Sequence, residues 1–354
     1  MRSFTSILYL VCASLLSLWC MVCFVPKTPK KFTEVKQPEK VKIIFVGDVM
    51  CHAAQLSKAK TKTGYNFNNS FKYVKSIFAD ADLVVANLET PLSTTPPYSG
   101  YPTFKSPAEL ATALSAAGVD VAVTANNHAL DMGTEGLLST LRILEDCGIK
   151  SVGTYPDKNS ALTVSPLFIE CRGVKFALLA YTYGTNGIKE EDGVVVGKLD
   201  RDLISADLER CAGADCTIAF LHWGDEYSAT ANIEQQKLAD FLHSRGCSIV
   251  VGSHPHTVQQ AECSKREVTI YSLGNFVSNQ RFRYSDGGIM AEVTIEKNGN
   301  DCSFWLNIIP VWVRQQDYAV IPKNVGDTLS MTAEQRAAYN LFMADTEEKF
   351  TPQF

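Results

Sequence analysis

The sequence predicts an α/β sandwich in which two sheets pack face to face with helices outside. Three observations carry that expectation. Apolar runs of strand length alternate with stretches of helical period, as in Val41–Gly47, Ala108–Ala117 and Val119–Thr124. The runs themselves are near-continuous Val, Ile, Leu and Ala, the pattern of strands buried on both faces. Finally, three β-rich runs follow the last alternation: Glu267–Phe276, Gly288–Glu296 and Ser303–Val313. A chain of 354 residues with 46% apolar content can bury one large core, or one core and a small appendage.

Taken in order, residues 7–25 carry no charge and are rich in Leu, Val, Cys and Phe. At about 1.5 Å per residue such a stretch nearly spans a hydrocarbon core of about 30 Å. Residues 1–25 therefore read as a signal anchor or a signal peptide. The absence of an Ala-x-Ala cleavage site, and Trp19 before Cys20, favour the anchor. Residues 26–40 are a polar linker with Pro26, Pro29 and Pro38. Lys27, Lys30, Lys31, Lys36, Lys40 and Lys42 crowd the far side of the apolar segment. That distribution runs against an outward-facing domain by the positive-inside rule. A formal net charge of -5 excludes a general nucleic-acid binder, which needs a basic footprint to displace counterions.

The folded part is expected over 41–315. Val41–Gly47 is a strand that runs into Asp48 and His52, and Leu83–Ala86 is a strand that ends in Asn87 and Glu89. The helix over Ala108–Ala117 stops at Gly118. A strand over Val119–Thr124 then leads to Asn127 and His128, and Asp131 and Gly133 open a helix over Glu135–Cys147. In the second half, the strand Val174–Ala180 leads to Asn186, the helix Asp202–Cys211 follows, and the strand Cys216–Leu221 delivers His222. The helix Ile233–Ser244 precedes the apolar run Ser248–Gly252, which delivers His254 and His256. Residues 316–354 read as a tail with a surface helix over Thr332–Phe350.

Five of the six histidines stand at strand ends, where open α/β sheets keep their sites. The sixth, His243, lies within a helix and reads as structural. On a regular strand His254 and His256 would face opposite ways, but Pro255 and Gly252 favour a turn that aims both at one point. Asp48, His52, Glu89, Asn127, His222, His254 and His256 form a nitrogen and oxygen ligand set that suits Mn, Fe or Zn. The set exceeds the four ligands of one structural zinc, so two divalent cations are expected, with Glu89 as the bridge. Asp48 would serve the first cation and Asn127 with His222 the second, with His254 and His256 divided between them. Such a pair activates water and offsets transition-state charge.

His128 is placed to protonate a leaving group, with Asp131 orienting it or else capping the following helix. Asn87, Asn186, Asn275 and Arg281, or its neighbour Arg283, are candidate substrate contacts; an arginine there would suit an anionic substrate. Cys51 reads as a buried small hydrophobe rather than a ligand. No Cys-x-x-Cys pair suggests a zinc ribbon, and cysteine usage does not fix the compartment.

Six motifs in order, Val46–His52, Ala86–Pro91, Ala125–Gly133, Leu221–Glu226, Gly252–His256 and Tyr271–Phe276, resemble the CapA family of bacterial capsule proteins named for poly-γ-glutamate synthesis. That family is in turn similar to calcineurin-like metallophosphoesterases. The resemblance implies a four-layer αββα sandwich with two metals at strand ends, and matches Asn127, His128, His222, His254 and His256 to metallophosphoesterase motif positions. Two departures stand out: Asp48 and His52 are four residues apart rather than two, and Glu89 stands where that superfamily usually has an Asp. The resemblance further implies a membrane-anchored protein with its domain extracellular. Expected partners are the membrane, an anionic capsule polymer or its precursor, and capsule-synthase subunits. Two functions follow as expectations: a metal-dependent hydrolase, or a non-catalytic metal- and polymer-binding subunit.

Overall fold

The strand β1 (Glu39–Val49) shows how the layers are built. Its odd-numbered side chains Val41, Ile43 and Phe45 enter one apolar cluster, while Ile44 and Val46 enter another on the opposite face. A period of two with apolar residues in both registers gives a strand buried on both sides. The computed structural model describes residues 39–350. The expected apolar anchor at 1–25 lies outside the described residues, as does all of the expected linker except Glu39 and Lys40, which open β1.

β1 lies inside an eight-stranded sheet. On one side follow β2 (Leu83–Leu88), β3 (Val121–Val123) and β4 (Lys150–Val152), all parallel. The second sheet has six strands. In chain order they are β5 (Leu167–Cys171), β6 (Val174–Thr182), β7 (Cys216–His222), β8 (Ile249–Ser253), β9 (Ala261–Cys263) and β10 (Val268–Ile270). Within it β6, β7, β8 and β10 run parallel. The first sheet is completed by β11 (Asn275–Val277), parallel to β1, and by the antiparallel β12 (Gly287–Asn298), β13 (Asp301–Arg314) and β14 (Ala319–Pro322).

The apolar cluster between the sheets joins Ile43 and Phe45 to Leu178, Phe220 and Val251. Outside the first sheet lies α1 (Glu109–Ala117), whose Leu110, Ala113 and Leu114 pack with Ile44, Val84 and Ala86. Its neighbour α2 (Gly133–Asp146) buries Ile143 and Leu144 in the same cluster and sends Leu137 to the cluster between the sheets. Outside the second sheet α3 (Arg201–Arg210) and α4 (Ile233–Ser244) cover Leu179, Ala219 and Val250 with Ile204, Ala239 and Leu242. The order helix, sheet, sheet, helix is therefore present among the described residues.

Two expectations change. The β-rich run at Glu267–Phe276 is two strands in different sheets, because the chain crosses between sheets at Gly274, which takes a φ of 68°. The boundary expected at 315 falls inside a sheet, since β14 pairs with β13. The C-terminal helix, α5 (Ala333–Glu348), is started by a capping box between Thr332 and Gln335. It is not purely a surface helix: Tyr339, Phe342 and Met343 pack against Trp312 and Ile321.

Candidate metal centre

The parallel order brings the carboxyl ends of β1, β2, β3, β7 and β8 to one place. Asp48 lies within the end of β1, Glu89 follows β2, Asn127 and His128 follow β3, His222 ends β7, and His254 and His256 follow β8. Close approach is allowed by glycine: a Cβ on Gly47 would collide with the carbonyl of Gly274, and one on Gly252 with the carbonyl of Tyr271. The turn at the end of β8 is made differently from expectation. Its left-handed residues are His254 (φ 95°) and His256 (φ 57°), not Gly252. Such conformations cost non-glycine residues about 1–3 kcal/mol each, and here they point the two imidazoles at different partners.

Glu89, His222 and His254 form one cluster of potential cation ligands, and Asp48, Glu89 and His256 form a second; within each, the donor atoms lie within 4.8 Å of one another. Glu89 belongs to both. Its Oε1 is 3.5 Å from His222 Nε2 and 3.9 Å from His256 Nε2. His256 Nδ1 is 3.0 Å from Asp48 Oδ2. Asn127 Oδ1 stands 2.8 Å from His222 Nε2, which puts the amide oxygen at the first cluster.

The electrostatics fit a cation. Asp48 and Glu89 are fully buried, and among the described residues the basic side chains in their ion pairs are histidines. Both oxygens of Glu89 and Nδ1 of His254 are buried without a hydrogen-bond partner. Orphaned buried charge is strongly unfavourable unless an ion compensates it. Burial, and then the neighbouring Asp48 carboxylate, push the Glu89 pKa well above the usual range. Burial, and then neighbouring histidines, hold His222 well below the ordinary imidazole value, and burial likewise brings His254 down to about 4. Both imidazoles are thus neutral at physiological pH, which is the ligating form. On these grounds the residues fit divalent cations.

Other expected site residues fall in three places. His128 lines a cleft of about 450 Å³ beside the centre, together with His52, Tyr227, His256 and Arg281. Its Nδ1 meets Asp131 Oδ2 at 2.7 Å, an oxygen that also accepts the backbone N–H of Phe104 at 2.7 Å. Asp131 thus faces His128, and the N-cap position of α2 is Met132, which makes no side-chain cap. Asn186 is exposed at the rim, accepts from the Asn127 amide at 3.3 Å and lies 3.5 Å from His128 Nδ1.

His52 is not among the ligand clusters. It starts a short helix, with Nδ1 3.1 Å from Gln55 Oε1 and 3.3 Å from the backbone nitrogen of Asn279, so it walls the cleft instead. Burial lowers its pKa to about 4. Asn87 and Asn275 are fully buried. Asn87 donates to Asp48 Oδ1 at 2.7 Å. Asn275 donates to Gln280 Oε1 at 2.9 Å and to the Ser285 carbonyl at 2.7 Å, tying down the loop that carries Arg281. Arg281 is in the cleft wall with Nε and Nη2 unpartnered, whereas Arg283 is paired with Asp345 of α5. Cys51 is buried and outside both clusters, and His243 has both nitrogens engaged, by the Cys247 carbonyl and by Thr269.

Sequence reasoning missed Ser253, whose Oγ is 2.9 Å from His222 Nδ1 and so orients the ring from behind. Only its place beside His254 signalled it. Also missed were Phe104, whose ring makes a T-shaped contact with His128 at 4.7 Å between centroids, and the two tyrosines at the mouth, Tyr183 and Tyr227.

Residues 42–280, which carry every one of these ligands, match the family described as bacterial capsule synthesis protein PGA_cap. The chain belongs to that family. It is similar to the PGA biosynthesis protein CapA of Bacillus subtilis (strain 168), 30% identical over 72% of this chain and 68% of that one. It is also similar to the capsule biosynthesis protein CapA of Bacillus anthracis, 24% identical over 88% of this chain and 75% of that one. Among solved structures, the 5'-nucleotidase precursor of Thermus thermophilus aligns with a TM-score of 0.44 and 11% identity, over 88% of this chain and 59% of that one. The 5'-nucleotidase of Candida albicans aligns with a TM-score of 0.46 and 13% identity, over 87% and 58%. Likenesses that distant carry no argument about this chain's chemistry.

Proposed function

We propose that this PGA_cap family member is a metal-dependent hydrolase of calcineurin-like type. In this reading it acts in the making or export of an anionic capsule polymer such as poly-γ-glutamate. The observation that carries the reading is the pair of ligand clusters sharing Glu89, whose two oxygens are buried without a partner. Asp48, Glu89 and His256 would hold one divalent cation, and Glu89, His222, His254 and Asn127 the other. When bound, Mn, Fe or Zn at those positions would supply Lewis acidity toward water and toward the substrate oxygen.

This chain's own residues supply the rest. His128, facing the cleft with Nδ1 on Asp131, holds a proton on Nε2 for the departing group. Asp131 fixes the ring orientation and is itself held by the Phe104 N–H. Arg281 and Asn186, at the cleft wall and rim, bind the anionic groups of the polymer. Family membership and the names of the relatives support the capsule assignment. The uncharged stretch at 7–25 supports a membrane anchor, and the family resemblance, against the lysines that follow it, supports a domain outside beside capsule-synthase partners.

The test is hydrolysis by the full-length chain, supplied in turn with Mn, Fe and Zn, of poly-γ-glutamate and of a generic phosphodiester. Metal-dependent cleavage that His128→Gln abolishes supports the enzyme, and the substrate cleaved names the bond. Cation and polymer binding with no cleavage of either substrate would favour a non-catalytic subunit.

A further inference from the structure

Two tyrosines stand at the mouth of the centre, and each lies over a different histidine of the His254–Pro255–His256 turn. Tyr183, just after β6, has its ring centroid 4.6 Å from that of His254 and stacks on His222 at 6.2 Å with planes 9° apart. Tyr227, shortly after β7, has its ring centroid 5.9 Å from that of His256, with the planes tilted at 41°. Neither tyrosine belongs to the apolar clusters of the described residues, and both keep solvent access, at 49% and 39% exposure. Core packing therefore does not account for them.

The Tyr227 hydroxyl is tied down as well: Gln280 Nε2 donates to it at 3.2 Å. Tyr227 sits at a φ of 62°, a conformation that costs a bulky residue about 1–3 kcal/mol and is held only where the surroundings over-determine it.

We propose that Tyr183 and Tyr227 are positioning residues, one for each cation position. Tyr183 serves the position formed by Glu89, His222 and His254, and Tyr227 the position formed by Asp48, Glu89 and His256. The inference rests on the two-cation reading of the centre. An imidazole turns about two single bonds, and a ring set close beside it at a tilt restricts that freedom while keeping its ligating nitrogen aimed at Glu89. Tyr183 does more, because its ring also stacks on His222, whose Nε2 meets the Asn127 oxygen. The two covers act separately because they touch different histidines.

Calorimetric titration of the metal-free full-length chain with Mn(II) tests this. Wild type shows two binding events. Tyr183→Ala weakens one of them by about tenfold or more, the size expected when a group that orients a ligand is lost. The Phe variant keeps the ring and recovers most of that loss. In a His254→Ala background, where one position is already impaired, Tyr183→Ala has no further effect while Tyr227→Ala still weakens the remaining event. In a His256→Ala background the roles exchange. The melting temperature of the metal-free protein stays at the wild-type value in both tyrosine variants, which a purely structural role would not allow. If both variants weaken the same event, or neither weakens any, the inference is overturned while the two-cation reading stands. If wild type takes up no Mn(II), both fall together.

Discussion

Glu89 Oε1 lies 3.5 Å from His222 Nε2, yet neither oxygen of that buried carboxylate has a hydrogen-bond partner. Burial, and then Asp48, raise its pKa far above the ordinary value. A carboxyl with a raised folded pKa binds more protons folded than unfolded, so its stabilising effect is present at low pH and lost as pH rises from about 4.3. The metal-free protein should therefore lose stability relative to Glu89→Gln as pH rises above about 4.3. The variant, in turn, should melt higher than wild type at pH 7 in chelator. Excess Mn(II) should stabilise wild type and leave the variant little changed. Thermal melts across that range, with chelator and with metal, check both statements.

His128 and Asp131 act apart from the ligand clusters. His128→Gln should lower hydrolysis by about 10²–10⁴-fold, the usual contribution of a positioned general acid, with metal content unchanged. Asp131→Asn should lose less, because its remaining oxygen can still accept from the imidazole. Elemental analysis beside the rate separates loss of acid from loss of metal.

Asn87 donates to Asp48 Oδ1 from beneath the centre. Asn87→Ala should weaken metal binding about 10–100-fold, as expected when a ligand carboxylate loses its support. KM at saturating metal should be unchanged, because the residue is fully buried behind Asp48. A raised KM with wild-type metal affinity would return Asn87 to the substrate.

Much of the fold is readable from β1, β2, β6, β7 and β8, because strands buried on both faces leave unbroken apolar runs. The run at Glu267–Phe276 reads as one strand because β-forming residues stand on both sides of Gly274, and a change of sheet leaves no mark in polarity. Within the centre, Glu89 and the histidines stand out by residue type at strand ends. The separate placement of Asn87, Asn275 and His52 does not, because an amide or imidazole looks the same in sequence whether it faces a cleft or holds a neighbour. Ser253, Tyr183 and Tyr227 escape notice for the same reason: they work through other side chains, and only geometry reveals that.

The C-terminal residues are part of the folded unit. A chain ending at 315 would strip β14 from β13 and uncover Trp312, which α5 shields with Tyr339, Phe342 and Met343. Removing several buried aromatic contacts at about 3–5 kcal/mol each exceeds the margin of a typical domain. That truncation should be insoluble on expression, whereas ending the chain at 350 should not be.

The most direct test of the central claim counts cations per chain in wild type, His254→Ala and Glu89→Ala, after each has been supplied with Mn, Fe and Zn and passed through a desalting column. A centre in which Glu89 serves both positions predicts close to two in wild type, one in His254→Ala and none retained in Glu89→Ala. No retained cation in wild type with any of the three metals, or two retained in Glu89→Ala, would contradict it.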